Sequence, residues 1–370
     1  MIFELWITLS ILFFGTYFTY FVYLKSHASK PWNIQIDRNY QPTVSILIPA
    51  HNEERNITSK MENVMKIDYP KDNTEIVLVD DASTDGTLNE AYDFVNTHPD
   101  FPLKIVKQTL WKGKSTALNE ALKTITHDIV IVTDADASWS SDILLKALPY
   151  LSDPKVGAIT GRVTPSNIDS NWVTKAEDNY LGLMSMVRLG ESKIHSTIRF
   201  EGCFCAFKRN SFDEFDTKSG ADDSGTALKV IQNNFRAILV PEAVTFVDAP
   251  HNLKLRVRTK LRRATHLTEL WFHCLVLFIR GSLVMPKRLS VPEILISIFN
   301  PIIFILLTCI SLIIIIKYPL FIFPTFLVLL IVILIPKIRN FSFEVVLDQF
   351  ILFYSIILFI LKRKIIAWDN

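Results

Sequence analysis

Asp128-Ile129-Val130-Ile131-Val132-Thr133-Asp134-Ala135-Asp136-Ala137-Ser138-Trp139 is the stretch whose reading decides the fold. Four consecutive β-branched residues running straight into two carboxylates predict a central strand, buried on both faces, that delivers an Asp-Ala-Asp pair to its C-terminal edge. In open α/β sheets ligands bind at that edge.

Working outward from it, short β-branched runs alternate with helical patterns. Val44-Ser45-Ile46-Leu47-Ile48-Pro49 reads as a strand ending in Ala50-His51-Asn52-Glu53, with a helix to follow. Glu75 to Asp81 reads as a second strand that runs into the turn-rich Ala82-Ser83-Thr84-Asp85-Gly86-Thr87, and Leu103 to Val106 as a third. Ser115 to Lys123 has helical character, while Val156 to Val163 and Arg236 to Pro241 look like further strands. This alternation predicts an α/β domain with a mostly parallel sheet flanked by helices.

With 49% hydrophobic residues in 370, the chain is too apolar for one ordinary soluble domain, and the excess sits at its two ends. Leu5 to Leu24 is about as long as the roughly 20 residues that span a bilayer. Glu4 precedes it and Lys25, His27 and Lys30 follow, which is the pattern of an uncleaved anchor with the soluble block on the cytoplasmic side. Beyond Pro250 come the basic run Lys254 to Arg263 and an apolar stretch, Leu267 to Val284, interrupted by Glu269, His273 and Arg280, as in a helix lying in the membrane interface. Ile294 to Ile316, Leu320 to Ile335 and Val345 to Leu361 are candidate spans. Three such spans would leave Lys362-Arg363-Lys364 outside, against the charge rule, so either Leu267 to Val284 also crosses or one later segment does not. The expected organisation is an anchor (1–24), a linker (25–41), a catalytic domain (42–253), a basic and amphipathic interfacial segment (254–290) and C-terminal transmembrane helices (291–370). A net charge of +2 without a Lys/Arg stripe gives no reason to expect a nucleic-acid partner. The four cysteines are too few and too scattered for a disulfide framework, and Cys203-Phe204-Cys205 lacks the second pair that a zinc site needs.

Two strands ending in acids, at Asp80-Asp81 and Asp134-x-Asp136, place carboxylate clusters on one sheet edge and fit a nucleotide site. The first would accept from base or ribose. The second would hold Mg2+ or Mn2+ against a diphosphate, because such hard cations bind through one or two carboxylates plus phosphate oxygens. Asp-x-Asp after a strand also suits a turn or helix cap. Gly113-Lys114-Ser115 resembles the end of a P-loop, but Gln108 stands where that motif requires Gly, so an ATPase is rejected and Lys114 keeps only a possible reach to phosphate. Asp222-Asp223 either caps the helix expected over Thr226 to Asn233 or supplies a general base.

The order of these pieces resembles the inverting family 2 glycosyltransferases over about residues 42 to 265: Val44 to Glu53, Val79 to Thr87, Lys112-Gly113-Lys114, Asp134-Ala135-Asp136, Glu201-Gly202-Cys203 and Asp222-Asp223. That resemblance implies a GT-A fold and a nucleotide-activated sugar, a UDP-sugar first. It places Ala50, Glu53 and Asp81 at the nucleoside, Lys114 at the diphosphate, Asp134 and Asp136 with the metal, and Glu201, Gly202 and Asp222 on the acceptor side. Asp223 matches the catalytic base, with Asp222 in place of the family's Glu before it. Processive members carry Gln-x-x-Arg-Trp on a following interfacial helix. Here Arg263 keeps the arginine, as a diphosphate ligand, while Lys260 and Ala264 replace the Gln and the Trp.

The expectation is therefore a membrane-integrated, metal-dependent inverting glycosyltransferase acting at the cytoplasmic face on a membrane lipid or lipid-linked glycan. The rivals are a processive polysaccharide synthase, disfavoured by the missing Trp platform, and a non-catalytic scaffold with a GT-A-like domain, disfavoured by the joint presence of Asp81, Asp134, Asp136 and Asp223.

Overall fold

The computed structural model describes residues 1–218, 221–321 and 334–363. These form two compact units, Leu24–His251 and a second built from Met1–Tyr23 with the chain from Asn252 onward.

The first unit is built on one eight-stranded sheet. Its strands are β1 (Val44–Ala50), β2 (Thr74–Asp80), β3 (Leu103–Lys107), β4 (Ile129–Val132), β5 (Ser138–Trp139), β6 (Val156–Pro165), β7 (Cys205–Lys208) and β8 (Arg236–Val247), in the order β3-β2-β1-β4-β7-β6-β8-β5. Every residue of β1 and β4 is buried, as continuous apolar runs require when both faces are covered. Helices α2 (Ile57–Met65), α3 (Thr87–Thr97), α4 (Lys114–Leu122), α5 (Ile143–Ala147), α6 (Trp172–Ile194) and α7 (Asp222–Gln232) lie between the strands in sequence.

The sheet is mixed but mostly parallel, with six of its eight strands running one way. β3, β2, β1 and β4 run parallel, as do β6 and β8, but β7 is antiparallel to both β4 and β6, and β5 is antiparallel to β8. Strands this short bury their side chains equally well in either direction, so nothing local in Cys205 to Lys208 announces the reversal. The chain passes from β1 outward to β2 and β3, then returns to β4 on the other side of β1. That reversal of winding opens a crevice between β1 and β4, whose pairing ends at Leu47 and Val132. The Asp-Ala-Asp turn leaves β4 at this crevice.

Residues 25–41 do not hang free. The backbone of Gln35 donates to Asp153 Oδ2 at 2.8 Å and that of Asp37 to Ser152 Oγ at 2.9 Å. Trp32 meets Tyr150 edge-on, and Ile34, Ile36 and Tyr40 pack on the core.

The second unit is helical, with α1 (Ile2–Ala28) contributing its first residues, α8 (Leu253–Ile279), α9 (Lys287–Ile294), α10 (Asn300–Lys317) and α11 (Pro336–Ile360). Pro292 removes a backbone donor inside α9, and the chain adopts a π-turn over Leu295–Phe299 before α10. Ile2–Ala28, Lys287–Lys317 and Ser342–Ile360 are long and apolar enough to cross a membrane. The span expected over Leu320 to Ile335 lies almost wholly outside the described residues, as does Lys364.

Two pairs of charges tie α8 to α11. Arg256 and Lys260, four apart on α8, meet Glu344 and Asp348, four apart on α11. The Arg256 guanidinium donates through both terminal nitrogens to Glu344, one at 3.0 Å, and Lys260 Nζ donates to Glu344 at 2.8 Å and Asp348 at 2.7 Å. Arg256 is fully buried and Lys260 nearly so. The basic run therefore does not turn as a whole toward lipid headgroups.

Candidate active site

Three loops build one end of the crevice, each with one residue at positive φ: Asn52 (57°) after β1, Ala82 (59°) after β2 and Gly113 (88°) before α4. Left-handed backbone at a non-glycine residue costs about 1 kcal/mol or more and tends to persist where a site needs the turn. Ala50 and Asp81 are joined directly, the Asp81 N–H donating to the Ala50 carbonyl at 2.9 Å. Both Asp81 carboxylate oxygens are engaged, accepting from the backbone N–H groups of Lys112 (3.1 Å) and Gly113 (2.8 Å). Asp81 thus shapes the loop that delivers Lys114. Its neighbour Asp80 is fully buried, with Oδ1 accepting from the Ser83 N–H and Oδ2 left without a hydrogen bond. Glu53 accepts from the Asn56 side chain at 2.7 Å, and burial, reinforced by Asp136, Asp134 and Asp85, pushes its carboxyl pKa up. His51 bonds the Asp81 carbonyl at 2.8 Å and stacks on Trp111, which is half exposed.

Lys114, the first residue of α4, holds the centre. Its Nζ lies 2.7 Å from Asp134 Oδ1 and 3.2 Å from Asp222 Oδ2, so one ammonium joins the carboxylates leaving β4 to those opening α7. Burial alone would lower this ammonium, but Asp134, Asp222 and Asp223 overcome it and hold its pKa well above the ordinary lysine value. The turn itself is fixed by its backbone, Asp134 N–H donating to the Gly202 carbonyl at 3.1 Å.

Gly202 is where the site has room only for hydrogen. A Cβ there would meet Asp134 Oδ2 at 2.7 Å and Lys114 Nζ at 2.9 Å. Gly202→Ala is expected to part that ion pair and lower kcat/KM by about 10²-fold, as displacement of reacting groups by an ångström does, while the thermal melting curve stays close to the parent's. Glu201, beside it, accepts from the buried Arg188 of α6 at 3.1 Å.

Asp222 and Asp223 occupy the first turn of α7, where the helix dipole favours negative charge. Asp223 is partly exposed and accepts from the Ser224 N–H at 2.6 Å. Burial first, then Asp222, with Glu201 adding, raise its carboxyl pKa to about 7 against the pull of Lys114 and that N–H. A carboxylate poised near neutrality suits a general base.

Asp134 and Asp136 offer hard oxygens, and burial together with Asp134 raises the Asp136 carboxyl pKa. That excess of negative charge fits a divalent cation. Among the described residues no group of three or more His, Cys, Asp or Glu gathers at one point, so diphosphate and water oxygens would complete the coordination.

The structure thus brings Ala50, Glu53, Asp81, Lys114, Asp134, Asp136, Glu201, Gly202, Asp222 and Asp223 into one unit. Arg263 lies on α8, in the other. Reading the sequence singled out neither Arg188 nor Lys60, which underlies the Asp-Ala-Asp turn from α2.

The description "Glycosyl transferase family 2" fits residues 45–216. A solved structure, a mannosyltransferase from Pyrobaculum calidifontis in complex with GDP-Man and Mn2+, is 30% identical, aligns over 97% of this chain and 98% of its own, and superposes with a TM-score of 0.83. The poly-beta-1,6-N-acetyl-D-glucosamine synthase of Staphylococcus epidermidis is 25% identical over 65% of this chain and 59% of its own length. A beta-monoglucosyldiacylglycerol synthase of Nostoc is 36% identical over 37% of this chain and 29% of its own. The chain spans less than two thirds of the length of these two curated relatives.

Proposed function

The chain belongs to glycosyl transferase family 2, and from that premise we propose an inverting transfer from a nucleotide-diphosphate sugar to a lipid or lipid-linked glycan at the membrane. The observation that carries the reading is Lys114: one partly buried ammonium bridges the donor-side Asp134 and the acceptor-side Asp222. Ala50, Glu53 and the loop shaped by Asp81 receive the nucleoside. Asp223 takes the proton from the acceptor hydroxyl as that oxygen attacks the anomeric carbon from the face opposite the diphosphate, and Lys114 offsets charge growing on the leaving group. Asp134 and Asp136 would hold Mg2+ or Mn2+, which when bound supplies Lewis-acid stabilisation of the departing diphosphate. Glu201, oriented by Arg188, and Gly202 border the acceptor side.

For the donor, the end-to-end likeness to a protein bound to GDP-Man moves a GDP-sugar ahead of the UDP-sugar that the sequence favoured. The apolar helices support an acceptor delivered in the bilayer, with the sheet-bearing unit on the cytoplasmic face. A single transfer is favoured over processive synthesis because Lys260 is committed to Glu344 and Asp348, and buried Ala264 offers no aromatic face to a sugar chain.

The test is to incubate the protein in detergent with GDP- and UDP-sugars and a membrane lipid extract, and to weigh the products. One sugar added to a lipid is expected, and a ladder would return the synthase reading. EDTA is expected to abolish transfer and added Mn2+ to restore it. Unchanged transfer in chelator would remove the metal from Asp134 and Asp136.

A further inference from the structure

Lys60 lies on the buried face of α2 with Ile57, Met61 and Val64, and only 2% of it is exposed. An ammonium buried this deeply costs several kcal/mol unless its N–H groups and its charge are answered. The answers come from the segment carrying the two acids. Nζ donates to Thr133 Oγ1 at 2.5 Å and to the Ala137 carbonyl at 2.7 Å, and it sits 4.6 Å from the centre of the Trp139 ring. Among the described residues Lys60 has no direct ion pair, and Asp134 and Asp136 act on it through space.

Thr133 and Ala137 bracket Asp134-Ala135-Asp136, one on each side. A single amine therefore ties both ends of the turn to α2. Asn63, three residues on along the helix, extends the tie: its side chain accepts from the Trp139 N–H at 2.8 Å and donates to the Trp139 carbonyl at 3.0 Å. The far side is closed by the Cys203 carbonyl, which accepts from the Thr133 hydroxyl at 3.0 Å and from the Trp139 indole at 2.7 Å, next to the Gly202 carbonyl that receives the Asp134 N–H. Two lysines thus serve one turn. Lys114 pairs with a carboxylate, whereas Lys60 grips the frame that carries it.

We infer that Lys60 is a positioning residue for the Asp134–Asp136 pair, a buried amine that pins the turn from behind and sets how the two carboxylates meet a divalent metal. The inference rests on the proposed metal role of those acids. It names a requirement separate from them, because Lys60 is buried behind the turn and is hydrogen-bonded to Thr133 and Ala137 rather than to the two acids.

The test compares full-length parent, Lys60→Met and Thr133→Val in detergent by two measurements. The first is hydrogen–deuterium exchange of the peptide covering Thr133 to Trp139, which needs no ligand. Lys60→Met is expected to speed exchange there at least fivefold, with the β1 and β2 peptides unchanged. The second is Mn2+ affinity with saturating GDP, followed by the electron paramagnetic resonance of free Mn2+. Lys60→Met is expected to weaken it tenfold or more, and Thr133→Val, which deletes one acceptor, about threefold. Parent-like exchange at the turn, or loosened exchange with parent-like Mn2+ affinity, overturns the inference. Should Lys60→Met not fold, Thr133→Val decides it on the same two criteria. If the parent binds no Mn2+, the metal reading of Asp134 and Asp136 falls by itself, and the exchange measurement still judges whether Lys60 pins the turn.

Discussion

Asp223→Asn is expected to lower sugar transfer by roughly 10³-fold while nucleoside-diphosphate affinity stays within about twofold, because the substitution keeps shape and removes only the proton acceptor. The groups facing this carboxyl are Asp222 and the Ser224 N–H on α7, Lys114 on α4 and Glu201 before β7, and with burial their balance puts its pKa at about 7. The catalytic form is the ionised one, so kcat/KM of the parent should climb with unit slope as pH rises and level off above about 7. Stability moves the opposite way. A carboxyl raised from 3.8 in the unfolded chain to about 7 when folded makes the fold weaker as pH rises through that window. Since Asp223 is partly exposed and screened, the loss is about 1–2 kcal/mol rather than the larger figure of a fully buried acid. Asp223→Asn should therefore melt higher than the parent at pH 8 and no higher at pH 4. Equal turnover by variant and parent would remove Asp223 from the base role.

Most of this site could be read because its parts are local. Four β-branched residues between turn signals, in a block that alternates strand and helix patterns, read as a buried strand, and the two acids after Val132 then leave at the strand's end. The same reasoning placed Asp80-Asp81 after β2 and Lys114 at the start of a helix. What sequence could not supply depends on groups far apart in the chain. The antiparallel course of β7 is decided by how the loop from α6 returns across the sheet, not by Cys205-Ala206-Phe207-Lys208. Asp81 looks like a nucleoside ligand, yet both its oxygens hold the Lys112–Gly113 backbone, a bond between loops 31 and 32 residues apart. Lys60 shows a faint signal, being a charge within the Ile57, Met61, Val64 stripe of an amphipathic helix. Such a lysine must find buried partners, but only the fold shows that Thr133 and Ala137 are those partners.

The second large effect is expected in the helical unit, where sequence was most misleading. Lys260 stands where processive relatives have Gln, which suggests a contact to substrate. Instead it joins Arg256, Glu344 and Asp348 in a network whose two cations are almost wholly shielded from solvent. Glu344 and Asp348 sit within the predominantly apolar span Ser342–Ile360, a setting that tolerates ionised groups only when they are paired. Glu344→Gln leaves the Arg256 guanidinium buried without its carboxylate, and the expected loss is about 3–5 kcal/mol, the cost of stranding one partner of a buried pair. Arg256→Met is expected to cost a similar amount for the opposite reason. The double variant Arg256→Met, Glu344→Leu strands neither charge, so it should recover much of that loss, because an apolar replacement of a whole buried pair is often neutral. A double-mutant cycle by chemical unfolding in mixed micelles measures the coupling. If the two single losses simply add in the double variant, the four charges are independent, and α8 is held to α11 by its apolar contacts and the Thr268–Ser355 hydroxyl bond at 2.7 Å rather than by this network.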